Sequence, residues 1–175
     1  MPSYKDAIAL LKADHRKVED LFAQFEKARS TDRKAKLAEK ICMELSIHTM
    51  IEEEILYPES DGSVEEDIIN EAYVEHDGAK ALIAEIMASS PEDRFYTAKV
   101  MVLSEEIKHH VKEEEQRDGL FAQAKAADID LQEMGERLSA RKRELEKTFA
   151  SKGLPAPQTR SMKGAKTSLG QPVAA

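Results

Sequence analysis

Residues 37–58, LAEKICMELSIHTMIEEEILYP, set Leu37, Ile41, Leu45, His48, Glu52 and Ile55 at three- and four-residue steps. That is the period of a helix with one inward face. The same period recurs on both sides of the stretch. Before it run Ile8, Leu11, His15, Val18, Phe22 and Phe25; after it run Ile69, Tyr73, His76, Lys80, Ile83 and Met87, then Val100, Leu103, Ile107, His110, Glu114 and Phe121. Ser3 with Asp6, Thr31 beside Ser30, Ser63 with Glu66, and Ser90 followed by Pro91, Glu92 and Asp93 read as helix starts, while Pro58 and Asp61-Gly62 end the second segment. The spacing predicts helices near 3–29, 31–58, 63–89 and 91–126. Connections of a few residues make neighbours antiparallel, so the expected fold is an all-α, up-down four-helix bundle over residues 1–128.

The composition of the 175-residue chain agrees. Seven Gly and six Pro are too few to punctuate a barrel or sandwich of short strands. Lys and Arg number 26 against 34 Asp and Glu, and a net charge of −8 lacks the basic surplus that phosphate neutralisation requires; no nucleic-acid partner is expected. The N-terminal apolar stretch Ala7 to Leu11 stops at Lys12, too short for a signal-peptide core or a membrane span. Cys42 stands alone, which forbids an internal disulfide and reads as a small buried hydrophobe in a reducing compartment. A cytoplasmic protein without membrane association is expected. Beyond the bundle, residues 129–150 open on Asp130 with Glu133 and carry Leu131, Met134, Leu138, Leu145 and Phe149, an additional C-terminal helix. Residues 151–175 hold three Gly, three Pro, four bases and no acid, the composition of a disordered basic tail.

Histidine interrupts every apolar stripe of the bundle. His15, His48, His76 and His110 each occupy a core position of a different helix. One such histidine is ordinarily a hydrogen-bonded core residue. If an inward face takes about three positions in seven, five scattered histidines place one inward on all four helices on the order of once in a hundred. Glu52 and Glu114 follow His48 and His110 by four residues, on the same faces, and an ionised carboxylate in a bundle core is costly unless paired or bound to a cation. Counted from a turn near residue 61, His48 lies 13 residues back and His76 lies 15 on, so at 1.5 Å per residue they stand at nearly one level. His109 with Glu113 repeats the spacing of His110 with Glu114, but His110 shares its face with Leu103, Ile107 and Phe121 and is the candidate ligand. Imidazole and carboxylate donors without thiolate suit iron, zinc or manganese.

Asp14-His15 with Val18 and Glu19, the run from His48 through Glu52 to Tyr57-Pro58, Glu75-His76-Asp77, and His109-His110 with Glu113-Glu114-Glu115 together resemble the hemerythrin-like, or HHE cation-binding, family over roughly residues 3–126. The resemblance implies a four-helix bundle holding two irons with an oxo or hydroxo bridge. His15, His48, His76 and His110 would be terminal ligands, and Glu52 and Glu114 bridging carboxylates. Oxygen-carrying members have a further histidine at the position of Lys80, whose expected place is a stem on the bundle with its ammonium in solvent. That leaves a coordination position for water, for Glu19, for Tyr73 or for nothing; Tyr73 and Tyr57 are expected as packing residues with their hydroxyls at the rim.

The resemblance implies a small-molecule ligand: dioxygen, hydrogen peroxide or nitric oxide, in iron homeostasis or in oxidative or nitrosative stress. The alternatives are a catalase-like or iron-repair enzyme that cycles its metal, and a metal-free helical interaction module. Sequence leaves oligomeric state and protein partners open.

Overall fold

The computed structural model describes residues 4–164. The chain forms α1 (Ala7–Lys27), α2 (Thr31–Ile51), a π-helical turn (Glu52–Leu56), α3 (Tyr57–Ser60), α4 (Glu66–Ala88), α5 (Tyr96–Glu115), α6 (Leu120–Ala126) and α7 (Leu131–Lys152). No strand occurs among the described residues. α1, α2 with its extension, α4 and α5 are the bundle, joined by short turns, and α7 docks on α1 and α2.

Local chemistry sets the helix ends, and several differ from the expected ones. Asp6 caps α1, its carboxylate accepting from Ala9 N–H at 2.8 Å; the expected cap partner Ser3 lies outside the described residues. Ser30 caps α2, and Asp130 caps α7 by accepting from Gln132 and Glu133 N–H. Ser63 does not cap the third bundle helix. α4 starts at Glu66 with no side-chain cap, and Glu65 N–H donates instead to the Gln123 amide oxygen at 2.9 Å. The segment after Pro91 turns once more before α5, with Phe95 N–H held by Asp93 at 2.8 Å, so the helix begins at Tyr96. Nor is the fourth helix continuous to 126: it breaks at Gln116–Gly119 and resumes as α6.

Pro58 does not end the second helix. It has no N–H, and its ring would collide with the carbonyl of Glu54 in a regular α-helix. The turn before it widens instead, with Tyr57 N–H bonding the Glu52 carbonyl across five residues, and the helix continues to Ser60.

The apolar core falls into two clusters. One gathers Ile8, Leu11, Ile51, Leu56, Phe121, Met134 and Leu138; the other gathers Val18, Phe22, Phe25, Leu37, Ile41, Leu45, Ile83 and Leu103. A layer of histidine and carboxylate separates them. Three positions of the expected stripes stray: Met87 is exposed, and Ile55 and Tyr73 are half-buried. Cys42 is fully buried, and burial pushes its thiol up to about 12. α7 contributes Met134, Leu138, Leu145 and Phe149 to the first cluster, and Gly135 lets it approach α1 closely, since a Cβ there would stand 2.7 Å from the Ala7 nitrogen.

Past α7 the described residues 153–164 form no helix or strand, yet residues 153–162 lie against the bundle. Leu154 packs on the core. Asp77, fully buried, accepts from the N–H groups of Arg160, Ser161 and Met162 and from the Ser161 hydroxyl at 2.6–3.2 Å. The rest of the expected disordered tail, residues 165–175, lies outside the described residues. No described helix is long and apolar enough to cross a membrane.

Candidate metal centre

His15 of α1, His48 of α2, His76 of α4 and His110 of α5 converge in the polar layer, each at least 95% buried. They form two pairs, with His15 Nε2 3.1 Å from His48 Nε2 and His76 Nε2 3.2 Å from His110 Nε2. Two carboxylates join the pairs. Glu52 Oε2 stands 3.2 Å from His48 Nε2 and 3.4 Å from His76 Nε2; Glu114 puts Oε2 3.4 Å from His15 Nε2 and Oε1 3.6 Å from His110 Nε2. His15, His48, Glu52 and Glu114 thus compose one group able to hold an ion, and Glu52, His76 and His110 a second. Two nitrogens each about 2.1 Å from one ion, at right angles, are about 3.0 Å apart, close to both observed pairs.

Each histidine turns its other nitrogen to an acid. His15 Nδ1 meets Glu115 at 2.8 Å, His76 Nδ1 meets Glu53 at 3.0 Å, His110 Nδ1 meets Glu75 at 2.7 Å, and His48 Nδ1 lies 3.7 Å from Asp14. A carboxylate on Nδ1 fixes the ring and directs Nε2 inward as a donor to an ion. Adjacent acids supply these partners because a residue next to an inward position sits at the edge of the same face.

Glu52 shows why the layer fits a cation. It is 0% exposed, neither of its oxygens has a hydrogen-bond partner, and Glu114 Oε2 is equally unpartnered. Burial first, then the charges of Glu114 and Asp14, raises Glu52 far above the usual carboxylate range. Burial also lowers His48, and burial with the charge of His110 lowers His76 further. Although burial opposes it, contacts with Glu114 and Glu115 raise His15 to about 9, and those with Glu114 and Glu75 raise His110. In each pair one histidine is pushed up and the other down, and a cation held between the Nε2 atoms would displace protons from the layer.

The described fold and layer coincide with a known pattern. The hemerythrin HHE cation-binding domain matches residues 6–124, more than half of the chain. The chain belongs to the HHE family. A hemerythrin HHE cation-binding domain-containing protein from Mycobacterium kansasii shares the fold, with a TM-score of 0.71 at 24% identity over 85% of this chain and 94% of that one. A DNA nickase of Nostoc sp. is 29% identical over 106 residues, 61% of this chain but 30% of that protein's length.

Within this HHE bundle none of the three further candidates, Glu19, Tyr73 and Lys80, bonds a histidine of the layer. Glu19 pairs with Arg16 at 3.4 Å on the outer side of α1 and is not brought to the layer. Tyr73 sets its ring edge-on to Tyr57 at 5.1 Å, beneath the Arg160 guanidinium, without a hydrogen bond to the histidines. Lys80 does not reach solvent. It is 8% exposed, and its ammonium donates to Glu53 at 2.6 Å, Asp77 at 3.3 Å and the Gln158 carbonyl at 3.1 Å. All three of its donors are used, so it is no ligand; it holds the acid that holds His76.

Tyr57 is the residue that the helical period misses. Its hydroxyl donates to Glu114 at 3.2 Å and lies 3.1 Å from His76 Nε2, at the centre rather than the rim. Five residues after Glu52, it would face away on a regular helix at about 100° per residue. The π turn brings both inward. The sequence signal for it was Pro58, a proline placed inside a helical period.

Proposed function

We propose that this chain holds two non-haem iron ions between His15, His48, His76, His110, Glu52 and Glu114, and there binds or processes a small oxidant or gas: dioxygen, hydrogen peroxide or nitric oxide. The observation that carries the reading is Glu52, buried without a hydrogen-bond donor and shared by both histidine groups. Divalent ions compensate a carboxylate so placed, and the HHE family is one of cation binders. Iron is the metal chosen by the family likeness, since the donor set also suits zinc and manganese.

Bound iron supplies redox chemistry and an electron-deficient centre for a small ligand. The chain's own residues do the rest. The two apolar clusters keep bulk water from the layer, and carboxylates bonded to Nδ1 hold the His15, His76 and His110 rings in place. The Tyr57 hydroxyl offers a proton and a hydrogen bond at the centre; burial, then the charges of Glu52 and Glu114, keeps it protonated far into base. Lys80 and Arg160, the latter 3.4 Å from Glu53 Oε2, hold the Glu53 carboxylate in place against His76 Nδ1.

The nickase likeness spans too little of that protein to carry its activity here, and a net charge of −8 opposes phosphate binding. A cytoplasmic setting remains part of the proposal. The test is iron-loaded full-length protein mixed separately with dioxygen, peroxide and a nitric oxide donor, followed by visible absorption and peroxide consumption. A spectral change with at least one of the three, lost in His48→Ala, supports the reading. Sustained peroxide loss assigns an enzyme, and no response to any of the three contradicts it.

A further inference from the structure

His109 and Glu113 repeat, on the outer side of α5, the four-residue spacing of His110 and Glu114 on its inner side. The His109 side chain is 59% exposed. Across the groove α4 contributes Glu71 and Glu75, and one ligand-type atom from each of Glu71, Glu75, His109 and Glu113 lies within 4.8 Å of the others. His109 Nε2 stands 3.2 Å from Glu113 Oε1 and 3.3 Å from Glu75 Oε1. Among the described residues, no Lys or Arg pairs with any of these three acids.

Surface acids gather often without a ligand, and two further observations connect this group to the interior. A cavity of about 80 Å³ is lined by Glu71, Glu75 and Glu113 and, at its buried side, by His110 and Glu114. Glu114 is 2% exposed and carries an oxygen, Oε2, without a hydrogen-bond partner. Glu75 spans the two ends: Oε1 faces His109, and Oε2 holds His110 Nδ1 at 2.7 Å.

We propose that Glu71, Glu75, His109 and Glu113 form a transient divalent-cation site that captures ions at the surface and passes them along this cavity to the buried centre. The inference rests on the reading of that centre as a metal site. A buried four-ring layer offers a hydrated ion no direct approach, because the ion must shed water where replacement oxygen and nitrogen donors already wait. Three acids and an exposed imidazole offer such donors in steps, and their field raises the local cation concentration. Exposure keeps this site weak, so the ion moves on.

The test uses Co²⁺ as the probe on metal-free full-length protein. Stopped-flow absorption gives the loading rate at low ion concentration, and elemental analysis gives the ion count at saturation. His109→Ala combined with Glu113→Gln is expected to load roughly tenfold more slowly, with a flatter dependence on ionic strength and with unchanged final count and melting temperature. Equal rates and equal salt dependence overturn the proposal, and so does a lower final count, which would put His109 in the buried set. A wild-type protein that takes up no Co²⁺ overturns it by a different route, through failure of the buried centre itself.

Discussion

Lys80 occupies the position at which oxygen-carrying relatives of this fold would place a further histidine, and its surroundings explain what it does instead. Its ammonium lies among Glu53, Asp77 and a backbone carbonyl, and removing one partner of a buried charge group leaves the others uncompensated. Lys80→Met should cost about 3 kcal/mol or more of stability and weaken metal retention through His76, checked by urea unfolding of the metal-free protein and by ion count. Lys80→His should not create a fifth histidine ligand, because the side chain points to Glu53 and Asp77. Tyr57→Phe keeps the ring and removes the hydroxyl. It should retain the bound ions, lower stability by about 1 kcal/mol and change the absorption spectrum of the iron-loaded protein; loss of the ions would make Tyr57 a required ligand. At this scale much of the layer was legible, since six inward positions follow from helical period and the two-carboxylate spacing. What was not legible depended on geometry off that period. Glu19 has the right spacing from His15 but lies at the edge of its face, where Arg16 takes it, and Tyr57 has the wrong spacing but gains a place through the π turn.

Among the elements, the two irregular ones serve the layer. The π turn in the second bundle helix brings Glu52 and Tyr57 to one side, and the break after α5 lets α6 fold Phe121 back over the His15 ring, stacked at 5.7 Å and 8°. Gly119 makes that break. A Cβ on it would stand 2.0 Å from the Glu113 carbonyl oxygen and 2.9 Å from that of Glu114, both backbone atoms that cannot turn aside. Gly119→Ala should therefore displace the end of α5 that carries Glu114. The expected result is a melting temperature lower by several degrees together with weaker ion binding; an unchanged ion affinity would show that α5 holds its end independently of the break. Helix number and order could be read from the stripes. The start of α5, the break after it and the passage of the helix through Pro58 could not, because each is decided by backbone geometry that apolar spacing does not record.

Across the whole molecule, α7 and the segment behind it brace the side of the bundle that carries His48 and His76. Arg141 pairs with Glu54 at 2.6 Å, Lys142 with Asp14, and Arg137 with Glu59. Residues 153–162 then cross to Asp77 and Lys80, closing over a cavity of about 680 Å³ lined by Met50, Ile83, Leu154 and Arg160 among others. Composition gives no sign of this contact, because Asp77 binds backbone N–H groups, which every sequence offers. Charged hydrogen bonds to Asp77 oppose the ordering entropy of about ten residues, so the net effect is modest: truncation after Lys152 should lower stability by about 2 kcal/mol, roughly 4–8 °C in melting temperature, with helicity retained. An unchanged melting temperature would mean that the segment contributes nothing to the fold. The two-ion centre with Glu52 shared between its halves is tested most directly by elemental analysis of full-length protein loaded with iron, beside Glu52→Gln. About two ions per chain in the wild type, near none in Glu52→Gln, and an equal or higher melting temperature for the metal-free variant are expected, because Glu52 without an ion is a buried acid with no hydrogen-bond donor. A wild type with no bound ion, or a Glu52→Gln variant that keeps two, would contradict it.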